Sequence, residues 1–169
     1  MLDFRFAKSR GVIMRQVYER LFVGSEYDCF HTKDGWAVVH ACKSPCHQRA
    51  IGYRGSLPKN HPNYLILERD NNLYLNMVDP PVPLFKLQTF IAFLRFAEKH
   101  WNDGKNILIH CNQGESRAPS LALLFLAKIL KTIDGTDYDS AAKAYKRIDP
   151  YYMPTAGIQT FLRENWNGL

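Results

Sequence analysis

The sequence predicts an α/β fold, with a central, mostly parallel sheet of about four or five strands flanked by helices. Three observations predict it. Short apolar runs alternate along the chain with longer segments whose apolar residues recur at helical spacing. One of these runs leads directly through a polar turn into a strongly apolar helix. The chain has 169 residues, 46% of them hydrophobic, and no linker, repeat or low-complexity tract, which fits a single domain over residues 1–169 with one core.

Taken in order, strands are expected at residues 21–23, 36–42, 73–78 and 106–110. Apolar residues at 84, 87, 91, 94, 97 and 101 make residues 84–101 an amphipathic helix packed on the sheet. Further helices are expected at 117–131, 138–147 and 155–166, the last capped by Thr155. Ile107-Leu108-Ile109 is short and wholly apolar, as a buried strand should be, and Pro119 suits the first turn of the helix that follows. Residues 43–72 show no clear periodicity. Between 43 and 67 they carry Lys43, Arg49, Arg54 and Lys59 without an acidic residue, and they read as a basic flap.

The turn between that strand and helix carries the chemistry. It reads His110-Cys111-Asn112-Gln113-Gly114-Glu115-Ser116-Arg117, a cysteine and an arginine with five residues between them. At a helix N-terminus, free backbone N–H groups and the positive end of the helix dipole form an anion site. Arg117 adds a planar fork that matches phosphate oxygens. The same field favours the thiolate form of Cys111, so one loop both binds a phosphate and attacks it. The C-terminal end of a central strand is also where open α/β sheets bind ligands.

The run HCNQGESR resembles the active-site signature of the protein tyrosine phosphatase superfamily, in its compact dual-specificity branch. His110 precedes the cysteine, and Gly114 lies where that loop needs a glycine. Leu21-Phe22-Val23-Gly24-Ser25 is similar to the branch's first strand and turn, and Pro150-Tyr151-Tyr152-Met153-Pro154 is similar to its last loop. The resemblance implies a dual-specificity phosphatase-like fold and a cysteine-dependent phosphomonoesterase. Its substrate would be a protein carrying phosphotyrosine, and phosphoserine or phosphothreonine as well. It also implies a general acid, an aspartate on a loop before the cysteine. Asp79 stands 32 residues before Cys111, after a strand and before Pro80 and Pro81, which turn the chain outward.

The implied roles are therefore Cys111 as nucleophile, Asp79 as acid and then base, and His110 as the residue that orients the loop and tunes the thiolate. Asn112, Gln113, Gly114, Glu115, Ser116 and Arg117 hold the phosphate oxygens. The chain departs from the pattern at Ala118, where the branch usually has a serine or threonine that assists departure of the thiolate. Ser120 should face elsewhere. Two other readings follow: a phosphatase of a phosphoinositide or an RNA 5′-phosphate, against which Glu115 in the cradle counts mildly, or a phosphate-binding module with little turnover.

No cofactor is expected. His40, Cys42, Cys46 and His47 fall within eight residues, too close together to close a tetrahedral site easily, so no metal is predicted. Cys42 and Cys46 are instead candidates to trap an oxidised Cys111 as a disulfide. Four cysteines without a paired framework suit a reducing compartment, and the cytoplasm is the expected location. Residues Met1 to Phe6 lack the pattern of a secretory signal. The longest apolar stretch, 121–127, is far shorter than the ~20 residues of a membrane span. A net charge of +6 suits anionic substrates, but without aromatic interleaving or a nucleic-acid motif it argues little for RNA or DNA. Nothing in the sequence speaks to oligomeric state.

Overall fold

The computed structural model describes residues 14–169, so the reading of Met1 to Phe6 lies outside the described residues. The strands are β1 (Arg15–Tyr18), β2 (Leu21–Gly24), β3 (Trp36–His40), β4 (Ile66–Arg69), β5 (Asn72–Leu75) and β6 (Asn106–His110). They form one sheet of six strands in the order β1-β2-β6-β3-β5-β4. The four central strands are parallel, and β1 and β4 are antiparallel edges. The mostly parallel sheet is as expected, and its six strands exceed the expected four or five. The two additions are the edge strands. Arg15-Gln16-Val17-Tyr18 and Ile66-Leu67-Glu68-Arg69 carry exposed polar positions and no long apolar run, so neither stands out as a strand.

The helices are α1 (Gln48–Ile51), α2 (Leu87–Asn102), α3 (Arg117–Lys128), α4 (Tyr138–Ile148) and α5 (Ala156–Asn165). β6 runs through the centre of the sheet, so its apolar run is buried on both faces. Leu21, Val23, Ala37, Val39, Ile107 and Ile109 face the core built with α2 to α5. Their alternate neighbours, among them Trp36, Val38, His40, Leu108 and His110, belong to the other side of the pleat. On that side Phe22 packs on Trp36 with ring centroids 4.8 Å apart, and His40 stacks on Tyr74 at 4.3 Å. α3 is buried from Arg117 to Ala127, which accounts for its lack of a polar face.

Asp137 caps α4 by accepting from the Ser140 N–H at 2.7 Å. Thr155 does occupy the residue before α5, but its hydroxyl makes no cap bond and is used elsewhere. Within residues 43–65, a helical turn (Lys43–His47) and α1 replace the first part of the expected flap. No helix among the described residues is long and apolar enough to cross a membrane.

Candidate active site

The loop of residues 111–117 leaves β6 at the C-terminal end of the sheet and runs straight into α3. Its carbonyls are taken up from outside: Glu26 N–H donates to Asn112 O at 3.2 Å, Arg15 Nη2 to Gly114 O at 2.6 Å, and Met153 N–H to Glu115 O at 2.8 Å. The Gly114 N–H turns inward and donates to Cys111 Sγ at 3.3 Å. Gly114 has φ +74°, and a β-carbon there would lie 2.8 Å from Gly24 O, so only glycine fits this turn. Arg15 is itself held by a two-pronged ion pair with the fully buried Asp149, both contacts at 2.7 Å. The edge strand β1 therefore props the loop from one side, and the segment 150–154 docks on it from another.

Arg117 lies under the loop, 8% exposed. Its Nη1 donates to Ala41 O and Met77 O at 3.0 and 2.9 Å, and its Nη2 donates to Asn112 Oδ1 at 2.7 Å. A guanidinium has five N–H donors. Three are spent in holding the guanidinium plane, and Nε is buried without a hydrogen-bond partner among the described residues. Buried donors of this kind are costly to leave unmet, so the free edge is suited to an anion.

Asp79 lies beside that edge, its Oδ2 3.8 Å from Arg117 Nε, near enough to pair and too far to hydrogen-bond. Its Oδ1 accepts from the Thr155 hydroxyl at 2.5 Å. The loop carrying Asp79 crosses closely over the start of α5, where a β-carbon on Gly157 would meet Pro80 O at 2.2 Å. The structure thus brings Cys111, Arg117 and Asp79 together with the whole loop from Asn112 to Ser116. Thr155, which positions Asp79, was not singled out from the sequence except as a cap.

Ala118 is buried, and the hydroxyls nearby are otherwise engaged. Ser120 Oγ pairs with Tyr152 Oη at 2.9 Å, which in turn meets Tyr138 Oη at 2.9 Å. Ser120 does face elsewhere. Ser116 Oγ accepts from the Thr155 N–H at 3.1 Å. A recess of about 220 Å³ adjoins the Asp79 loop, lined among others by Lys43, Tyr64, Met77, Pro80 and Phe85.

His110 points to the other side of the sheet. Its Nδ1 is 3.4 Å from Cys111 O, and its Nε2 is 2.7 Å from His40 Nδ1 and 3.8 Å from Cys46 Sγ. Cys29 completes a group in which one donor atom from each of Cys29, His40, Cys46 and His110 lies within 4.8 Å of all the others. Of the four ligand candidates expected from residues 40–47, only His40 and Cys46 belong to it. His47 is satisfied by Tyr53 Oη at 2.8 Å and Asn63 O at 3.0 Å. The hydrogen bond from Cys46 draws the Cys29 thiol far down from its ordinary value, against burial, while Cys46 is pushed up. The same donor draws Cys42 down to about 7. Burial opposes the charge on His110, but the neighbouring cysteines outweigh it and raise its pKa. All four cysteines are free thiols.

No family model and no curated protein matches the chain by sequence. Solved structures do match it by fold. DUSP15 superposes with a TM-score of 0.63 at 20% identity, covering 90% of this chain and 86% of that one. Human tyrosine phosphatase-like serine/threonine/tyrosine-interacting protein gives 0.61 at 19% identity, covering 89% and 93%. Human DUSP28 gives 0.61 at 17% identity, covering 92% and 93%. The chain has the fold of the compact dual-specificity branch of the protein tyrosine phosphatase superfamily.

Proposed function

We propose that this chain is a single catalytic domain that hydrolyses phosphate monoesters on proteins, phosphotyrosine first, through a cysteinyl-phosphate. The observation that carries this reading is the buried Arg117 edge, whose Nε–H has no hydrogen-bond partner among the described residues, in the loop that begins at Cys111. In the first step Cys111 Sγ attacks phosphorus and the P–O bond to the alcohol or phenol breaks. The leaving oxygen takes a proton from Asp79. Because Thr155 occupies Oδ1, that proton belongs on Oδ2. In the second step water attacks the phosphoryl group, the Asp79 carboxylate takes the water's proton, and Cys111 departs as thiolate with inorganic phosphate. Arg117 and the N–H groups of the loop hold the equatorial oxygens and their growing charge throughout. His110 orients the loop, and no metal acts at phosphorus.

The rim supports an aromatic peptide substrate. The large apolar residues most exposed among the described residues are Tyr27, Phe30, Val78, Val82, Leu84, Tyr151 and Met153. All come from three segments, those after β2, around Asp79 and before α5, and each segment touches the phosphate loop or carries Asp79. A phosphoinositide headgroup or a 5′-phosphorylated RNA calls for cations in those positions. Ala118 supports one other reading, a phosphate-binding module with little turnover.

Purified protein assayed on phosphopeptides, phosphoinositide vesicles and 5′-triphosphorylated RNA tests the proposal. Turnover should be highest on phosphotyrosine peptides, with phosphoserine and phosphothreonine peptides slower. Preference for lipid or RNA would move the substrate class. Binding of vanadate without turnover of any substrate would favour the module.

A further inference from the structure

Apart from His110, the group behind the phosphate loop has no part in the hydrolysis just described. It is assembled from four places: Cys29 in the helical turn after β2, His40 at the end of β3, Cys46 in the turn Lys43–His47 and His110 at the end of β6. His40 and His110 are direct register partners on neighbouring parallel strands.

The hydrogen bonds of the two imidazoles set their tautomers. His40 Nε2 is 2.9 Å from Asn72 Oδ1, and His110 Nδ1 faces Cys111 O, a carbonyl that can only accept. The outer nitrogen of His40 therefore carries a proton. The inner nitrogens, His40 Nδ1 and His110 Nε2, face each other at 2.7 Å, a separation at which they share one proton. A metal ion binds in the place of that proton. Two thiol sulfurs share the same small space, and sulfur with imidazole is the donor set of a zinc-type ion, not of magnesium or calcium. We propose that Cys29, His40, Cys46 and His110 bind one zinc ion as a closed Cys2His2 centre behind the phosphate loop.

The dimensions are close to those of a bound ion. Zinc bound tetrahedrally at about 2.0–2.3 Å has ligand atoms roughly 3.3–3.8 Å apart. The Cys46 Sγ to His110 Nε2 separation of 3.8 Å already matches, the two imidazoles, 2.7 Å apart, need to open by about 0.6 Å, and the widest pair, within 4.8 Å, closes by about 1 Å through rotation of the thiol side chains. The outer contacts of His40 and His110 are those that fix metal-ligating imidazoles in their rings' orientation. Cys29 is the one partly exposed member, so the ion reaches the site from its side. With four protein ligands the centre is structural. It ties three adjacent strand ends together and fixes His110, the residue next to the nucleophile.

The test needs no phosphatase assay and stands apart from the proposed function. Reduced, metal-free protein is titrated with Zn²⁺ or with Co²⁺, whose spectrum reports geometry and thiolate ligation. The expected result is about one equivalent bound, a tetrahedral cobalt spectrum with sulfur-to-cobalt charge transfer, and a Tm raised by several degrees with zinc. Cys29→Ser and Cys46→Ser should each weaken the charge-transfer band and zinc retention by at least about tenfold, and His40→Gln should weaken retention while keeping the thiolate band. If a variant fails to fold, the wild-type cobalt spectrum still decides. No uptake by the reduced protein, an octahedral spectrum without thiolate bands, or uptake unchanged in both cysteine variants would overturn the proposal.

Discussion

The two faces of His110 make a useful contrast. Toward α3 lies the proposed phosphate cradle, built from consecutive residues of one loop; on the other side of the sheet lies a Cys2His2 group gathered from four separate elements. Both contain free thiols and both are largely buried, yet they are organised differently. The cradle keeps a buried donor edge unpaired and so is suited to an anion. The rear group turns sulfur and nitrogen donors inward and so is suited to a cation. Sequence neighbours suit a site for a ligand that comes and goes, while residues drawn from several strands suit a staple that would hold the first site in place.

The largest effect should come from the cradle alone. Cys111→Ser should abolish hydrolysis, since a serine hydroxyl there stays protonated, while vanadate binding persists on Arg117 and the loop N–H groups. Steady-state assays and isothermal titration check this, and cobalt binding at the rear group should be unchanged, which keeps the two regions distinct. Asp79→Asn should come next, lowering kcat by about 10²–10⁴-fold on alkyl and phenyl phosphates. The loss should shrink on aryl phosphates with good leaving groups. An equal loss on all of them would make Asp79 a structural partner of Arg117 and Thr155.

Much of the cradle was legible because its parts are contiguous. The place of Asp79 beside Arg117 was legible from the resemblance and from the prolines that follow it, although the strand before it ends at Leu75 rather than at residue 78. Gly114, Arg117 and the strand and helix around them fall where the sequence puts them, with β6 matching residue for residue. The rear group was not legible. Cys29 and His110 meet His40 and Cys46 only because β6 lies between β2 and β3, and strand order is a tertiary property that spacing along the chain does not carry. The edge strands β1 and β4 escaped for a related reason: half-exposed strands lack the apolar run that marks a central one. Thr155 has the composition of a helix cap, but its hydroxyl is drawn away by a carboxylate 76 residues distant in sequence.

A smaller effect sharpens the account of turnover. With no hydroxyl at Ala118, loss of the thiolate from the phosphoenzyme should limit kcat, and rapid mixing with p-nitrophenyl phosphate should show a burst near one equivalent of enzyme. Ala118→Ser should raise kcat several-fold and shrink the burst, with kcat/KM nearly unchanged. No burst and no gain would return the role to Ser116 or to solvent.

The smallest effect lies outside both regions. His100 on α2 is buried against Phe96 with both ring nitrogens unpartnered among the described residues, and burial holds its pKa below 6.5. As pH falls below about 6.5 the unfolded chain takes up a proton that the folded chain resists, so stability should decline there, by at most about 1.4 kcal/mol per pH unit from this group. Urea unfolding of His100→Leu between pH 7 and 5 should show a flatter profile than wild type. An identical slope would remove His100 as the cause.

The most direct measurement of the central claim is to trap the intermediate. Protein mixed with a phosphotyrosine peptide, quenched in acid within the first turnovers and digested, should yield a peptide containing Cys111 that carries one phosphoryl group. On dilution into substrate-free buffer before the quench, the phosphoryl group should be lost no more slowly than steady-state turnover, and it should be absent in Cys111→Ser. Turnover of the peptide with no phosphoryl group ever found on Cys111, or one found on a different residue, would contradict the account.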